Sequence, residues 1–131
     1  MNTGAKSKPL LWVGSSRKDI KDCPAQIQDV IGFALRQVQQ GQKHLDAKPL
    51  KGFGGASVLE IAVDHQGSAF RAVYTVRFAR AVYVLHVFQK KAKKGRKTPK
   101  SEVDLIQARL RDSAIHYKDW CNANPESEAE S

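Results

Sequence analysis

Seven Lys or Arg and no acid stand between Lys90 and Lys100: Lys90, Lys91, Lys93, Lys94, Arg96, Lys97 and Lys100. An apolar run, Leu85-His86-Val87-Phe88, leads into them, and Thr98-Pro99 interrupts them before Lys100. Cations packed this densely at the end of a rigid strand are suited to holding a polyanion. Upstream, Arg71 alternates with Phe70 and Ala72 in a strand-like pattern. It is expected on an open sheet face, near the start of the cationic loop. A guanidinium fork beside lysines suits a phosphate that gains negative charge as it reacts. An ion pair with Glu60 on the neighbouring strand is the competing role for Arg71. His86 is expected to share a face with Val82, Val84 and Phe88, as a hydrogen-bonded structural residue or as a general acid or base. Tyr83 and Phe88 are expected on opposite faces; each offers a ring for base stacking or for plain sheet packing. Lys51, with Lys48 and Phe53, is a lesser nucleic-acid candidate in a glycine-rich connector.

The usual catalytic sets are missing. The chain has no nucleophile elbow, no phosphate-binding glycine loop and no Cys/His spacing of a zinc site. No cofactor and no metal are expected. An enzyme built this way works through cations, which fits cleavage of RNA by its own 2′-hydroxyl. A lysine whose pKa is lowered by neighbouring cations could serve as the base.

The elements that must position these residues fit a single domain of 131 residues with net charge +9. The three Glu of the tail, Cys121 to Ser131, are not matched by any base there, so the rest of the chain is more positive still. No apolar run approaches the roughly 20 residues of a membrane span, and no secretion signal is visible, so a cytoplasmic location without a membrane partner is expected. Cys23 and Cys121 are expected to be free thiols.

The reading divides the chain into a flexible N-terminus (1–8), one folded domain (9–120) and an acidic, disordered tail (121–131). Within the domain, a first strand covers 9–13. A short helix runs to about Cys23, with Ser16 and Asp19 as a capping box. Pro24 opens a second helix, where Ile27, Ile31, Ala34, Leu35 and Val38 share a face and Gly41 ends it. Residues 41–57 read as a loop. A meander of strands follows at 58–64, 69–78 and 81–89, with turns at His65-Gln66-Gly67 and Ala79-Arg80. Pro99 opens a last helix with Val103, Ile106, Leu110 and Ala114 on one face. The fold class is α+β, in the order β-α-α-β-β-β-α: a twisted antiparallel sheet with a two-helix hairpin on one face and the first strand at an edge.

This order and four stretches of sequence resemble a known group. The stretches are Leu35-Arg36-Gln37-Val38-Gln39-Gln40-Gly41, Lys48-Pro49-Leu50-Lys51-Gly52, Phe70-Arg71-Ala72-Val73-Tyr74, and His86-Val87-Phe88-Gln89-Lys90-Lys91 followed by Thr98-Pro99. Together they resemble the RelE/HigB-type toxins of type II toxin–antitoxin systems, in the phage-derived branch of the RelE/ParE superfamily. The resemblance covers about Leu10 to Tyr117. It implies a microbial RNase-like fold and endoribonuclease activity on mRNA, exerted in the decoding site of the small ribosomal subunit. It also implies control by a helix-turn-helix antitoxin. On the same basis Arg71, Lys90 and Lys91 would be catalytic, and Lys93, Lys94, Arg96 and Lys97 would contact RNA backbone. The chain departs from the pattern at Ala62, where many relatives carry a base after the Glu-apolar pair. His116 and Tyr117 are the only candidates for the Tyr or His that many relatives carry near the C-terminus. A basic RNA- or ribosome-binding module without catalysis, or a structural phage protein, are the alternatives.

Overall fold

The computed structural model describes residues 7–91 and 98–125, with Lys91 described in its backbone only. Its elements are β1 (Leu10–Trp12), α1 (Ser16–Lys21), α2 (Ala25–Gln39), β2 (Ala47–Pro49), β3 (Val58–His65), β4 (Ser68–Thr75), β5 (Val82–Lys91) and α3 (Lys100–Ala123). The strands form one sheet in the order β1-β5-β4-β3-β2. β2 through β5 are antiparallel neighbours. β1 lies at the edge, as expected, but runs parallel to β5, so the sheet is mixed at that edge.

α2 forms where apolar residues recur at helical spacing. Ile27, Ile31, Ala34, Leu35 and Val38 are all buried. Its end is a Schellman cap: Gly41, at φ +85°, donates to the Val38 carbonyl and Gln42 donates to that of Gln37. α1 begins differently from the expected capping box. Ser15 occupies the cap position and its hydroxyl donates to Asp19 at 2.7 Å, while Ser16 is buried and donates to the Val84 carbonyl at 3.1 Å. Ser16 therefore ties the helix to the sheet. The two helices cover one sheet face, packing Ile20, Ile27, Ile31 and Leu35 against Phe70, Ala72, Tyr74, Val82, Val84 and Val87. Burying side chains of this size stabilises the fold by roughly 1.5–3 kcal/mol each.

α3 covers part of the opposite face, where Val58, Val73, Tyr83 and Leu85 pack with Ile106 and, beyond it, Leu110 and Tyr117. The inward line is thus Ile106, Leu110, Ser113 and Tyr117; Ala114, placed on it from the sequence, is exposed. The helix runs past Trp120 to Ala123.

Two further differences matter for the site. The stretch read as a loop contains β2, which pairs Ala47 with Ile61, Lys48 with Glu60 and Pro49 with Leu59. β4 also stops at Thr75, short of Phe78, because the Thr75 hydroxyl donates to the Ser57 carbonyl and accepts from Arg77 N–H. The turn between β3 and β4 falls where expected. Gln66 and Gly67, at φ +50° and +83°, give the two-residue geometry that matches strand twist. None of the described helices is long and apolar enough to cross a membrane.

Candidate functional site

β3, β4 and β5 set the site out in cross-strand rows. Glu60, Val73 and His86 form one row; Ala62, Arg71 and Phe88 form the next; Asp64, Ala69 and Lys90 form a third. Arg71 does not stand on an open face. It is 6% exposed, and Nη1 donates to both carboxylate oxygens of Glu60 at 3.2 and 3.3 Å and to the Thr98 hydroxyl at 3.3 Å. Thr98 donates in turn to Glu60 Oε2 at 3.2 Å. The cover comes from Thr98 and the start of α3, and a cation buried this way requires a paired carboxylate.

Outside this triad lies a cleft of about 310 Å³, lined by Lys48, Pro49, Leu50, Lys51, Glu60, Thr98 and Val103. β2 creates its outer wall by placing Lys48 beside Glu60. Lys48 and Lys51 are exposed, while Glu60 and Thr98 are half-buried. Glu60 is the one carboxylate among the lining residues. The cleft therefore offers two cations at its mouth, and Glu60 and Thr98 line it while reaching back to Arg71. That arrangement admits an anion and presents one group able to accept a proton.

His86 is positioned by an irregularity that the sequence does not announce. Val73 pairs with His86 but Tyr74 pairs with Val84, so Leu85 is the extra residue of a β-bulge. The bulge resets the alternation of β5. Val82, Val84 and Val87 face the helical pair, whereas Tyr83, Leu85 and Phe88 pack on the α3 side. Tyr83 and Phe88 thus share a side, and His86 leaves Val82 and Val84 to join Phe88, stacking on it at 4.7 Å and 16°. His86 Nε2 lies 2.6 Å from Glu102 Oε1, and Nδ1 lies 3.3 Å from Arg109 Nη1. A guanidinium has no acceptor, so Nδ1 accepts and Nε2 carries the hydrogen donated to Glu102. Both ring nitrogens are engaged and the side chain is buried.

Lys90 is half-buried opposite Ala69, and the Lys91 backbone pairs with Ser68. Lys93, Lys94, Arg96 and Lys97 lie outside the described residues. His116 and Tyr117 belong to a different cluster. His116 Nδ1 is 2.7 Å from the Tyr83 hydroxyl, and Tyr117 accepts from Arg80 N–H at 3.1 Å, with Phe78 and Trp120 alongside. Burial pushes the Tyr83 phenol up to about 12 and raises that of Tyr117. Among the described residues no group of three or more His, Cys, Asp or Glu could hold a metal ion.

The structure therefore brings Arg71, Lys51, His86 and Lys90 to one side of the sheet, and adds Glu60, Thr98, Glu102 and Arg109. A sequence signal existed for the last two. Glu102, Ile106, Arg109 and Ser113 recur at helical spacing, so charged residues alternate with small or apolar ones on a buried face.

Comparison with known proteins places this chain in a family. The family described as phage-derived protein Gp49-like (DUF891) matches residues 18–111, most of the sequence, and the chain belongs to it. It is the phage-derived group to which the sequence resemblance points. Among solved structures, the chain is similar to one in the toxin–antitoxin complex RelBE2 from Mycobacterium tuberculosis, with 18% identity and a TM-score of 0.45 over 68% of this chain and 100% of that one. It is also similar to a mutant of the E. coli toxin RelE in the free state, with 14% identity and a TM-score of 0.46 over 63% and 82% of the two chains. No curated protein is similar enough to count as a match.

Proposed function

We propose that this protein is the toxin of a type II toxin–antitoxin pair and cleaves mRNA as an endoribonuclease. The observation that carries the reading is the Glu60 carboxylate, oriented by Arg71 and Thr98 in a cleft whose mouth bears Lys48 and Lys51. The scissile phosphate enters between the lysines. Glu60 takes the proton of the adjacent 2′-hydroxyl, and the 2′-oxygen attacks phosphorus. The cations offset the charge that builds on the phosphorane. The bond from phosphorus to the 5′-oxygen breaks, leaving a 2′,3′-cyclic phosphate and a 5′-hydroxyl. His86 acts as the acid in its doubly protonated form, reached when bound RNA draws Nδ1 away from Arg109: Nε2 gives its proton to the departing oxygen and a neutral imidazole remains. Lys90 and Lys91, at the end of β5, contribute positive charge that binds the RNA backbone.

The family resemblance supplies the wider setting of this reading. The ribosomal decoding site presents the mRNA, a helix-turn-helix antitoxin restrains the toxin, and the protein works in the cytoplasm. The working unit is the domain of residues 9–120 extended to the end of α3 at Ala123, and the residues after it are an acidic appendage.

Induced expression in a bacterial host, with primer extension on a reporter transcript, tests the proposal. The wild type should arrest growth and generate new transcript ends. Arg71→Ala with Lys91→Ala, and separately Glu60→Gln, should relieve both effects. Undiminished cleavage by these variants would remove the assignment of the site. One observation favours a second reading, a non-catalytic RNA- or ribosome-binding module: Arg71 and His86 already have protein partners. Intact RNA together with tight, steeply salt-dependent binding would support that module instead.

A further inference from the structure

On the sheet face opposite the Glu60 cleft, a separate cavity of about 300 Å³ lies between the end of α2 and the strands. Its walls include Val38, Leu59 and Val82, and Lys8 and Lys43 also line it. Tyr74 completes the lining although it is 1% exposed. Its ring is packed in the apolar cluster and also lines the cavity, where the phenol is a hydrogen-bond donor. A phenol on the wall of a cavity can donate its hydrogen to an acceptor held there. Burial also pushes the group up to about 12, so it remains a donor at physiological pH.

The other features narrow the ligand. Two lysines and no carboxylate line the cavity, so its charge favours an anion. The carbonyls at the end of α2 that would repel one are blunted, since those of Gln37 and Val38 already accept from Gln42 and Gly41. Val38, Leu59, Val76 and Val82 give the cavity an apolar side, and the volume is at the small end of the usual range for ligand pockets. We propose that this cavity binds a small amphipathic anion, a monocarboxylate whose acyl chain has roughly eight carbons by volume. The apolar chain lies against Val38, Leu59 and Val82. The carboxylate accepts from Tyr74 and pairs with Lys8 and Lys43. This site shares no lining residue with the Glu60 cleft and does not depend on the reading of that cleft.

Titration calorimetry of the full chain with octanoate, octanol and octylammonium tests the assignment. Octanoate should bind, octanol at least about tenfold more weakly, and octylammonium not at all. Tyr74→Phe, which removes only the hydroxyl, should weaken octanoate about tenfold, the size expected for a lost charge-assisted hydrogen bond. Lys43→Glu should weaken it at least as much, and Val38→Phe should fill the cavity and abolish binding. Lys48→Ala with Lys51→Ala should leave octanoate affinity unchanged, which separates this site from the basic cleft. No octanoate binding, equal affinity for octanoate and octanol, or no effect of Tyr74→Phe would each overturn the proposal.

Discussion

Arg109 reaches back from α3 and donates Nη1–H to the carbonyl oxygen of Leu85 at 3.0 Å, at the bulge that turns His86 and Phe88 toward the candidate site. The same guanidinium bonds His86 Nδ1 and the Ser15 hydroxyl, so one side chain joins α3, β5 and the start of α1. Arg109→Ala should lower stability by about 1.5–3 kcal/mol, the usual worth of hydrogen bonds to a charged group. Urea denaturation measures this directly. Arg109→Lys should recover only part of it, because an ammonium cannot reproduce the fork.

Gly14 adjoins that guanidinium. Its φ is +57°, and a Cβ there would lie 2.8 Å from Arg109 Cζ and Nε. Gly14→Ala should therefore cost about 1–3 kcal/mol, combining left-handed backbone strain with displacement of the arginine. A thermal midpoint equal to wild type would show that Arg109 moves aside freely.

The Glu60–Arg71 pair should show strong coupling. Removing one member leaves the other charge buried without its partner, so Arg71→Ala or Glu60→Ala alone should cost about 3–5 kcal/mol. Arg71→Ala with Glu60→Ala should cost clearly less than the two single losses added together. A double-mutant cycle in denaturant gives the coupling, and simple additivity would argue that the pair is not formed in solution.

Glu60→Gln keeps the shape of the side chain but removes its basicity. Cleavage of a reporter RNA should fall by about 10²- to 10⁴-fold while circular dichroism remains that of the wild type. His86→Gln should reduce cleavage in the same range under the proposed roles. Product analysis should find cyclic phosphate ends, and 3′-hydroxyl ends would contradict attack by the 2′-oxygen.

Lys48 and Lys51 should act through charge. Their double replacement by Ala should weaken RNA binding uniformly across sequences. It should also flatten the slope of log affinity against log salt by about 1.4, at roughly 0.7 per single-strand phosphate contact. Binding measured by fluorescence anisotropy at several ionic strengths checks this.

Alkaline pH should destabilise the fold through its tyrosines. Tyr74 and Tyr83 are pushed up to about 12 by burial, and Tyr117 is raised as well. The folded state therefore holds protons that the unfolded chain releases near pH 10. Stability from this source is complete below about pH 10 and is lost as pH rises from there towards about 12. Phenolate absorbance should stay low through pH 10 and rise together with unfolding.

Much of the framework can be read from residues whose neighbours in sequence are also their neighbours in space. The α2 face from Ile27 to Val38, the Gly41 cap and the Gln66-Gly67 turn are local features with local signals. β2 is not, because Ala47, Lys48 and Pro49 carry no strand pattern and take their register from β3. The bulge is hidden for a related reason. From Val82 to Val87 nearly every residue is apolar, so no polar alternation marks where the phase changes. The Glu60 partner of Arg71 is foreseeable from the strand order. Its burial is not, since the cover comes from Thr98 and a helix much later in the chain. The lysines after Lys91 are conspicuous in sequence, but the described geometry of the site is carried by Glu60, Thr98, Glu102 and Arg109.

The parallel pairing of β1 with β5 has a consequence for synthesis. Leu10 pairs with Val82 and Trp12 with Val84, so β1 must wait for β5, which is made much later. Chains emerge at about 5–20 residues per second, and for several seconds β1 has no partner to bond. Thr98 and α3 emerge later still, and without them the cleft beside Glu60 has only one wall. A nascent or truncated chain ending before Thr98 therefore carries the strands but not the assembled site. The ribosome that makes this protein would complete the domain before any activity against RNA could begin.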